Sequence, residues 1–277
     1  MLELQINYLV LSGGMVMNRR IGVLDTGVGG LSVVRSLQKV LPQENILYFG
    51  DSKNVPYGNK EEDEILYLTM KMLNFMKENN VKVVVIACNT VSSLLNKYKD
   101  KFRYPIFDII TPTVEYLLDL KVNDLAIMGT EFTIKTGIYQ KLLIKGNKRI
   151  SIISESSKAL AALVDSGDFT SAIIKDTIKF HLDNIFKKKR VTGIVLVCTH
   201  YPIVQELFAE ITPNINYIDP GYQQALAVKE YLLKNDLLNK KGGGLLSIYT
   251  SGEKKIYLKI KDKLRLVNLV ELVEMKL

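Results

Sequence analysis

The sequence predicts an α/β fold with mainly parallel sheets, divided between two domains. Three observations carry this. Short apolar runs of strand length alternate with helix-period segments along most of the 277 residues, the pattern of strands joined by crossover helices. Several runs end in glycine-rich or polar turns, and parallel sheets bind ligands beyond the carboxyl ends of their strands. One unit occurs twice. Val83–Thr90 (VVVIACNT) and Gly193–His200 (GIVLVCTH) are each an apolar strand ending in cysteine, then polar residues, then a helical stretch.

The elements follow in order. Residues 1–18 read as an extension: Gly13-Gly14 lies just ahead of Met15 and Met17, so translation is expected to start at one of these, or the arm to be poorly ordered. Ile21–Leu24 is the first strand, closed by a glycine-rich turn before a helical Leu31–Val40. Ile46–Phe49 is a strand that leads into a Pro56-Tyr57-Gly58 loop. Glu61 to Asn80 is helical, because Ile65, Leu68, Met72, Leu73 and Met76 share one face. Val81–Ala87 is a strand and Val91–Lys99 a helix. Ile106–Ile110 is a strand, and Pro112 opens a helix through Leu118. Strand Leu125–Met128 precedes helix Ile134–Ile144; strand Ile150–Ile153 precedes helix Lys158–Ser166. Helix Ile173–Phe186, strand Gly193–Val197, helix Pro202–Ile211, strand Tyr217–Ile218 and helix Ala225–Leu233 follow. The tail, Leu246–Thr250 and then Ile256 onward, is mixed.

Composition excludes several classes. A hydrophobic fraction of 47% with 24% charged residues buries a core. Two cysteines cannot staple a chain of this size, so it is no disulfide-rich secreted scaffold. His181 and His200 lack the spacing of a structural zinc module. The apolar run Val83–Cys88 is far shorter than the roughly 20 residues that span a bilayer. The N-terminus carries its Arg pair after its apolar part, unlike a signal peptide, so a cytoplasmic protein with reduced thiols is expected. The net charge of +8 comes mostly from lysine, whereas nucleic-acid readers lean on arginine. The run Lys187–Arg190 reads as the solvated end of a helix rather than a nucleic-acid patch.

The chemistry centres on Cys88 and Cys198. A thiol at a strand's carboxyl end, ahead of a helix N-terminus, is expected to favour the thiolate. Each cysteine alone reads more readily as a small buried hydrophobe; their matched contexts reverse this in favour of function. Two opposed thiols suit removal of a proton from one face of a carbon acid and its return on the other. A Cys198–His200 nucleophilic pair and a zinc site from Cys88, Cys198, His200 and Asp25 are alternatives. The turn Asp25–Ser32 (DTGVGGLS) fails the dinucleotide fingerprint, because Ser32 stands where the third glycine belongs. Asp25 reads as a base, a holder of an ammonium group or a plain turn aspartate. Thr90 and Thr199 read as helix caps or ligand donors, and the loop at Tyr57 and Gly58 offers backbone NH groups to a carboxylate.

Four motifs in order, Asp25–Val33 (DTGVGGLSV), Pro56–Gly58 (PYG), Ala87–Thr90 (ACNT) and Cys198–Pro202 (CTHYP), resemble those of the bacterial glutamate racemases, in the aspartate/glutamate racemase family. The likeness runs from about Arg20 to at least Asp219, with further similarity at Gly129–Tyr139 and Ile218–Gly221. It implies two similar α/β domains with the active site in the cleft between them: residues 19–110 with 220–277, and residues 111–219. It implies a cofactor-independent interconversion of L-glutamate and D-glutamate, supplying D-glutamate for peptidoglycan, by a homodimer without metal. Cys88 and Cys198 would be the acid/base thiols, supported by Asp25 and His200. Asp25, Thr26, Tyr57, Gly58, Asn89, Thr90, Thr199 and His200 would hold the substrate. Thr26 replaces the family's usual serine. Asp165 stands where the family has an assisting glutamate, one methylene shorter, and is not expected to reach the substrate. Aspartate as substrate, or a regulatory binding role, are the alternatives.

Overall fold

The structure is a computed structural model that describes residues 19–276; the expected extension, residues 1–18, lies outside the described residues. In chain order the elements are β1 (Ile21–Asp25), α1 (Leu31–Val40), β2 (Ile46–Gly50), α2 (Glu62–Glu78), β3 (Val83–Ile86), α3 (Asn89–Ser92), β4 (Ile106–Asp108) and α4 (Ile110–Asp119). Then come β5 (Asp124–Gly129), α5 (Glu131–Thr136), α6 (Ile138–Gly146), β6 (Ser151–Ser156), α7 (Leu160–Asp165), α8 (Ala172–Lys188), β7 (Gly193–Val197) and α9 (Gln205–Ile211). The chain ends with β8 (Asn216–Ile218), α10 (Pro220–Lys234), β9 (Leu246–Thr250), α11 (Lys254–Leu264) and β10 (Leu269–Glu274).

The strands form two sheets, ordered β10-β9-β2-β1-β3-β4 and β6-β5-β7-β8. Every pairing is parallel. The echo seen in the sequence is therefore architectural: β2-β1-β3-β4 and β6-β5-β7-β8 have the same order, and Cys88 and Cys198 follow the corresponding strands β3 and β7. In each sheet the first strand of the set, β1 or β5, lies between the second and the third. The chain's winding reverses there, which opens a crevice at the carboxyl ends.

The larger sheet is covered on both faces, so β1, β2 and β3 are buried at every position. Alternate residues point to opposite faces. Ile21, Val23, Tyr48 and Val85 join the core with Leu37, Val228 and Ile260 of α1, α10 and α11. Leu24, Phe49 and Ile86 join Ile65, Met72 and Met76 of α2. The first of these cores continues through Leu125, Ile194 and Leu196 of the smaller sheet.

Three expected helices are broken. Val91–Lys99 is a single α-turn, α3, followed by 3-10 turns at Leu95–Lys97 and Lys99–Lys101; the Ser93 hydroxyl donates to Thr90 O, a local bond that competes with helix propagation. Ile134–Ile144 is split into α5 and α6 at Gly137, whose φ of +63° is left-handed backbone that glycine adopts without strain. Pro202–Ile211 begins as a 3-10 turn, Tyr201–Val204, before α9. The lysine run at the end of α8 is partly engaged: Lys188 pairs with Glu155 at 3.0 Å and Lys189 with Asp124 at 2.5 Å. Glu155 also accepts from Asn184 and contacts His181 Nδ1 at 2.9 Å. Burial alone would raise the Glu155 carboxyl, but the bonds from His181, Asn184 and Lys188 outweigh it and hold it below its ordinary value. No helix among the described residues is long and apolar enough to cross a membrane.

Candidate active site

A cavity of about 150 Å3 lies where the carboxyl ends of the two sheets face each other. Its wall includes Thr26 after β1, Cys88 after β3, Thr130 after β5 and Cys198 after β7. Both cysteines are free, buried and exposed to this one space. The close approach of the two halves depends on Gly29. A Cβ there would overlap Thr199 Oγ1 and His200 Nδ1, so this glycine of the failed dinucleotide pattern serves contact across the cleft.

Each thiol has its own polar neighbour. Thr26 Oγ1 donates to Cys88 Sγ at 3.6 Å, and His200 Nδ1 lies 3.7 Å from Cys198 Sγ. His200 Nε2 is 2.8 Å from Asp165 Oδ1. Burial would lower the His200 pKa, but the Asp165 charge and hydrogen bond, with Cys198, outweigh it and raise it well above its ordinary value. The imidazole is thus held protonated, and both ring nitrogens donate. Asp165, expected not to reach the substrate, lines the cavity beside His200. The shorter side chain still reaches because α7 ends at Asp165, against the loop that carries His200.

Cys88 differs from expectation. Burial, followed by the nearby Asp25 carboxylate, pushes its thiol up to about 12, so it holds its proton at neutral pH. The helix after it is only one turn long, and so short a dipole does not offset desolvation. Thr90 and Thr199 do not act as helix caps. Thr90 Oγ1 meets Thr130 Oγ1 and Thr133 Oγ1 at 3.2 and 3.3 Å, and Thr199 Oγ1 donates to Asp25 Oδ2 at 3.2 Å.

Asp25 sits behind the wall, fully buried, with Gly27 N–H donating to its Oδ1 at 2.9 Å. Burial pushes its carboxyl up to about 6, against the opposing pull of His200 and these hydrogen bonds. Thr26, Tyr57, Gly58, Asn89, Thr90, Thr199 and His200 all line the cavity. The Tyr57 hydroxyl donates to Asp51 Oδ2 at 2.6 Å, which fixes the loop. Asn89 Oδ1 accepts from Tyr139 OH at 2.7 Å, while its buried Nδ2 has no hydrogen-bond partner. A buried donor left unpaired costs roughly 1–3 kcal/mol, so this amide is ready for an acceptor such as a carboxylate. Among the described residues no group of three or more His, Cys, Asp or Glu side chains is arranged to hold a metal ion.

The structure adds Thr130, Thr133, Lys158 and Asp165 to the wall and Tyr139 behind it. Thr130 was reachable by the rule that found the cysteines, since it follows a strand's carboxyl end. Tyr139, in the first turn of α6, closes the Gly129–Tyr139 stretch already noted for its similarity, whereas Lys158 precedes α7 and no local pattern marks it.

The sequence matches the family described as Asp/Glu/Hydantoin racemase over residues 21–227. The chain is 36% identical over 249 residues to the glutamate racemase of Thermoanaerobacter pseudethanolicus, covering 89% of this chain and 93% of that protein. The glutamate racemase of Francisella tularensis, solved in complex with D-glutamate, superposes with a TM-score of 0.85 at 29% identity, over 94% of this chain and 98% of the other. Glutamate racemase isoform RacE1 from Bacillus anthracis gives 0.86 at 25% identity, over the same shares of the two chains. With the family model matched over most of the chain and a relative 36% identical along nearly its whole length, the chain belongs to the Asp/Glu/Hydantoin racemase family.

Proposed function

We propose that this protein is a glutamate racemase whose two thiols exchange the α-proton of L- and D-glutamate on opposite faces of the substrate. The observation that carries the reading is the exposure of Cys88 and Cys198, from corresponding strand ends of two facing sheets, to one small cavity. One thiol must begin as thiolate and the other as thiol. Cys88 holds its proton and so serves as the acid in the turn of the cycle that starts from this state, opposite Cys198. The Cys198 sulfur takes the α-proton, the C–H electron pair delocalises into the α-carboxylate, and Cys88 donates its proton to the other face. The thiols have then exchanged roles, and the reverse turn regenerates the first state. No electron donor or acceptor is needed.

The free amide of Asn89 and the turn at Tyr57–Gly58 supply donors for the two carboxylates, with the hydroxyls of Thr26, Thr90 and Thr199 beside them. The His200 imidazolium lies beside Cys198, where negative charge appears in each cycle, and Asp25 supports this arrangement from behind through Thr199. The family reading extends to a cytoplasmic homodimer that supplies D-glutamate for peptidoglycan, and to domains at residues 19–110 with 220–277 and at 111–219. The test is turnover of glutamate and aspartate by the purified chain without added cofactor. Glutamate is expected to be preferred by about 10- to 200-fold in kcat/KM, the range one methylene commands. Faster turnover of aspartate would overturn the assignment.

Lys158 lines the cavity, its side chain is 76% exposed, and its ammonium lies 3.5 Å from Glu131. As a positive charge at the mouth, it draws in an anionic substrate. Lys158→Glu is expected to raise the KM for glutamate roughly fivefold at low salt, with kcat unchanged and the effect shrinking as salt is added. Steady-state kinetics at two ionic strengths checks this.

A further inference from the structure

Gln224 is fully buried in α10, three residues past the Ile218–Gly221 stretch, and does not line the cysteine cavity. Its side-chain amide crosses from the helix to the larger sheet. Nε2 donates to Ile86 O and to Phe107 O, each at 2.9 Å. These carbonyls belong to β3 and β4, near the carboxyl end, where the parallel ladder between the strands runs out at Ile86 and Asp108. One amide thus ties two strands at the point where backbone pairing stops. Ser92 in α3 completes the junction: its hydroxyl donates to Ile86 O at 3.3 Å and accepts from Ile109 N–H at 3.3 Å.

Cys88 follows Ile86 by two residues. Toward β1 the connecting segment is held by Ala87 N–H, which donates to Leu24 O at 2.9 Å. Toward β4 it is held through Ile86 O, and hence by Gln224 and Ser92. The smaller sheet is tied differently. There the bridging amide, Gln205 Nε2, reaches one carbonyl, Tyr217 O at 3.3 Å, and that carbonyl belongs to β8 rather than to β7, the strand that carries Cys198. The Gln224 amide also keeps its orientation at a cost. Its Oε1 is buried without a hydrogen-bond partner among the described residues, whereas most buried polar atoms are paired. The two bonds made by its N–H groups hold it there.

We propose that Gln224 is a positioning residue for the racemase reaction: its two hydrogen bonds fix where the Cys88 sulfur sits in the cavity wall, while Cys198 is placed independently. The catalytic consequence rests on the two-thiol reading; the placement of Cys88 does not. A sulfur that alternately takes and returns a proton is sensitive to placement, since a displacement of about 1 Å can cost about 10²-fold in rate.

Gln224→Met keeps the length of the side chain and removes both N–H groups. Alkylation with iodoacetamide, followed by peptide mass spectrometry, reads the two thiols separately and without reference to catalysis. The rate at Cys88 is expected to change severalfold and that at Cys198 to stay at the wild-type value. The kcat/KM for glutamate is expected to fall by about tenfold or more, equally for the two enantiomers, whose free energies are the same. The α-deuterium isotope effect on kcat/KM is the discriminating readout. It is expected to rise for the enantiomer from which Cys88 takes the proton, because that transfer becomes limiting. It is expected to fall for the other, because the return of a proton by Cys88 then limits. A general loosening of the protein would lower both rates and leave the two isotope effects as they are. Gln224→Glu, held neutral by burial, keeps one of the two bonds; its shifts are expected to be intermediate, and it decides the matter if the methionine variant does not fold. Unchanged alkylation of Cys88, or an equal change at both cysteines, overturns the positioning. Changed alkylation of Cys88 with unmoved isotope effects overturns its link to catalysis. A wild type without glutamate turnover would sink the racemase reading and leave alkylation to decide the placement of Cys88.

Discussion

Cys88→Ala and Cys198→Ala are each expected to lower glutamate racemisation by about 10²- to 10⁴-fold, the range associated with one positioned acid or base. In the proposed mechanism each thiol is needed in both directions, as base for one enantiomer and as acid for the other. The two losses are therefore not additive, and the double variant is little worse than either single one. Both side chains are buried, at 7% and 5% exposure, yet each removes only a sulfur from a cavity wall. Thermal melts are expected to show both variants folded at the assay temperature. Wild-type rates in either variant would remove that cysteine from the mechanism.

Asp25→Asn is expected to make the protein more stable at neutral pH and a poorer catalyst. Burial pushes the Asp25 carboxyl up to about 6 from an ordinary value of 3.8. Between those values the folded chain keeps a proton that the unfolded chain releases, so stability falls as pH rises. The contribution is fully present below pH 3.8 and is lost as pH rises through about 6; a difference of this size is worth about 3 kcal/mol. Asparagine keeps the shape and has nothing to ionise. The variant should gain up to about 3 kcal/mol at pH 7.5, less about 1 kcal/mol for altered bonds to Gly27 and Thr199, and show no gain at pH 4. Urea denaturation at both pH values checks this, and an equal difference at the two would contradict it. Activity is expected to fall by about 10²-fold, because the negative charge beside Thr199 and His200 is gone.

The strands and their role were legible in the sequence because parallel strands buried on both faces are continuous apolar runs. The duplication was legible for the same reason: VVVIAC and GIVLVC are the same device used twice. The motif residues that line the cavity also lie just after those strands, where local pattern and site coincide. Features that depend on partners distant in sequence were not legible. Asp165 reaches His200 only because α7 packs beside the loop after β7. Tyr139 orients Asn89 from 50 residues away. The Cys88 thiol was expected to be acidic from its position ahead of a helix, but the helix is one turn long and burial dominates. Breaks at Ser93 and Gly137 escaped because helical periodicity carries across a local bond or a single left-handed residue.

The central claim is that two thiols act from opposite faces of one carbon. Racemisation of L-glutamate in deuterated water, stopped early and read by NMR or mass spectrometry at the α-position, tests it most directly. The account predicts D-glutamate that carries α-deuterium while the remaining L-glutamate keeps its α-protium, since the thiol that takes the proton is not the one that returns it. D-glutamate that retains the substrate's own α-protium would mean a single group working on both faces, and would contradict the account.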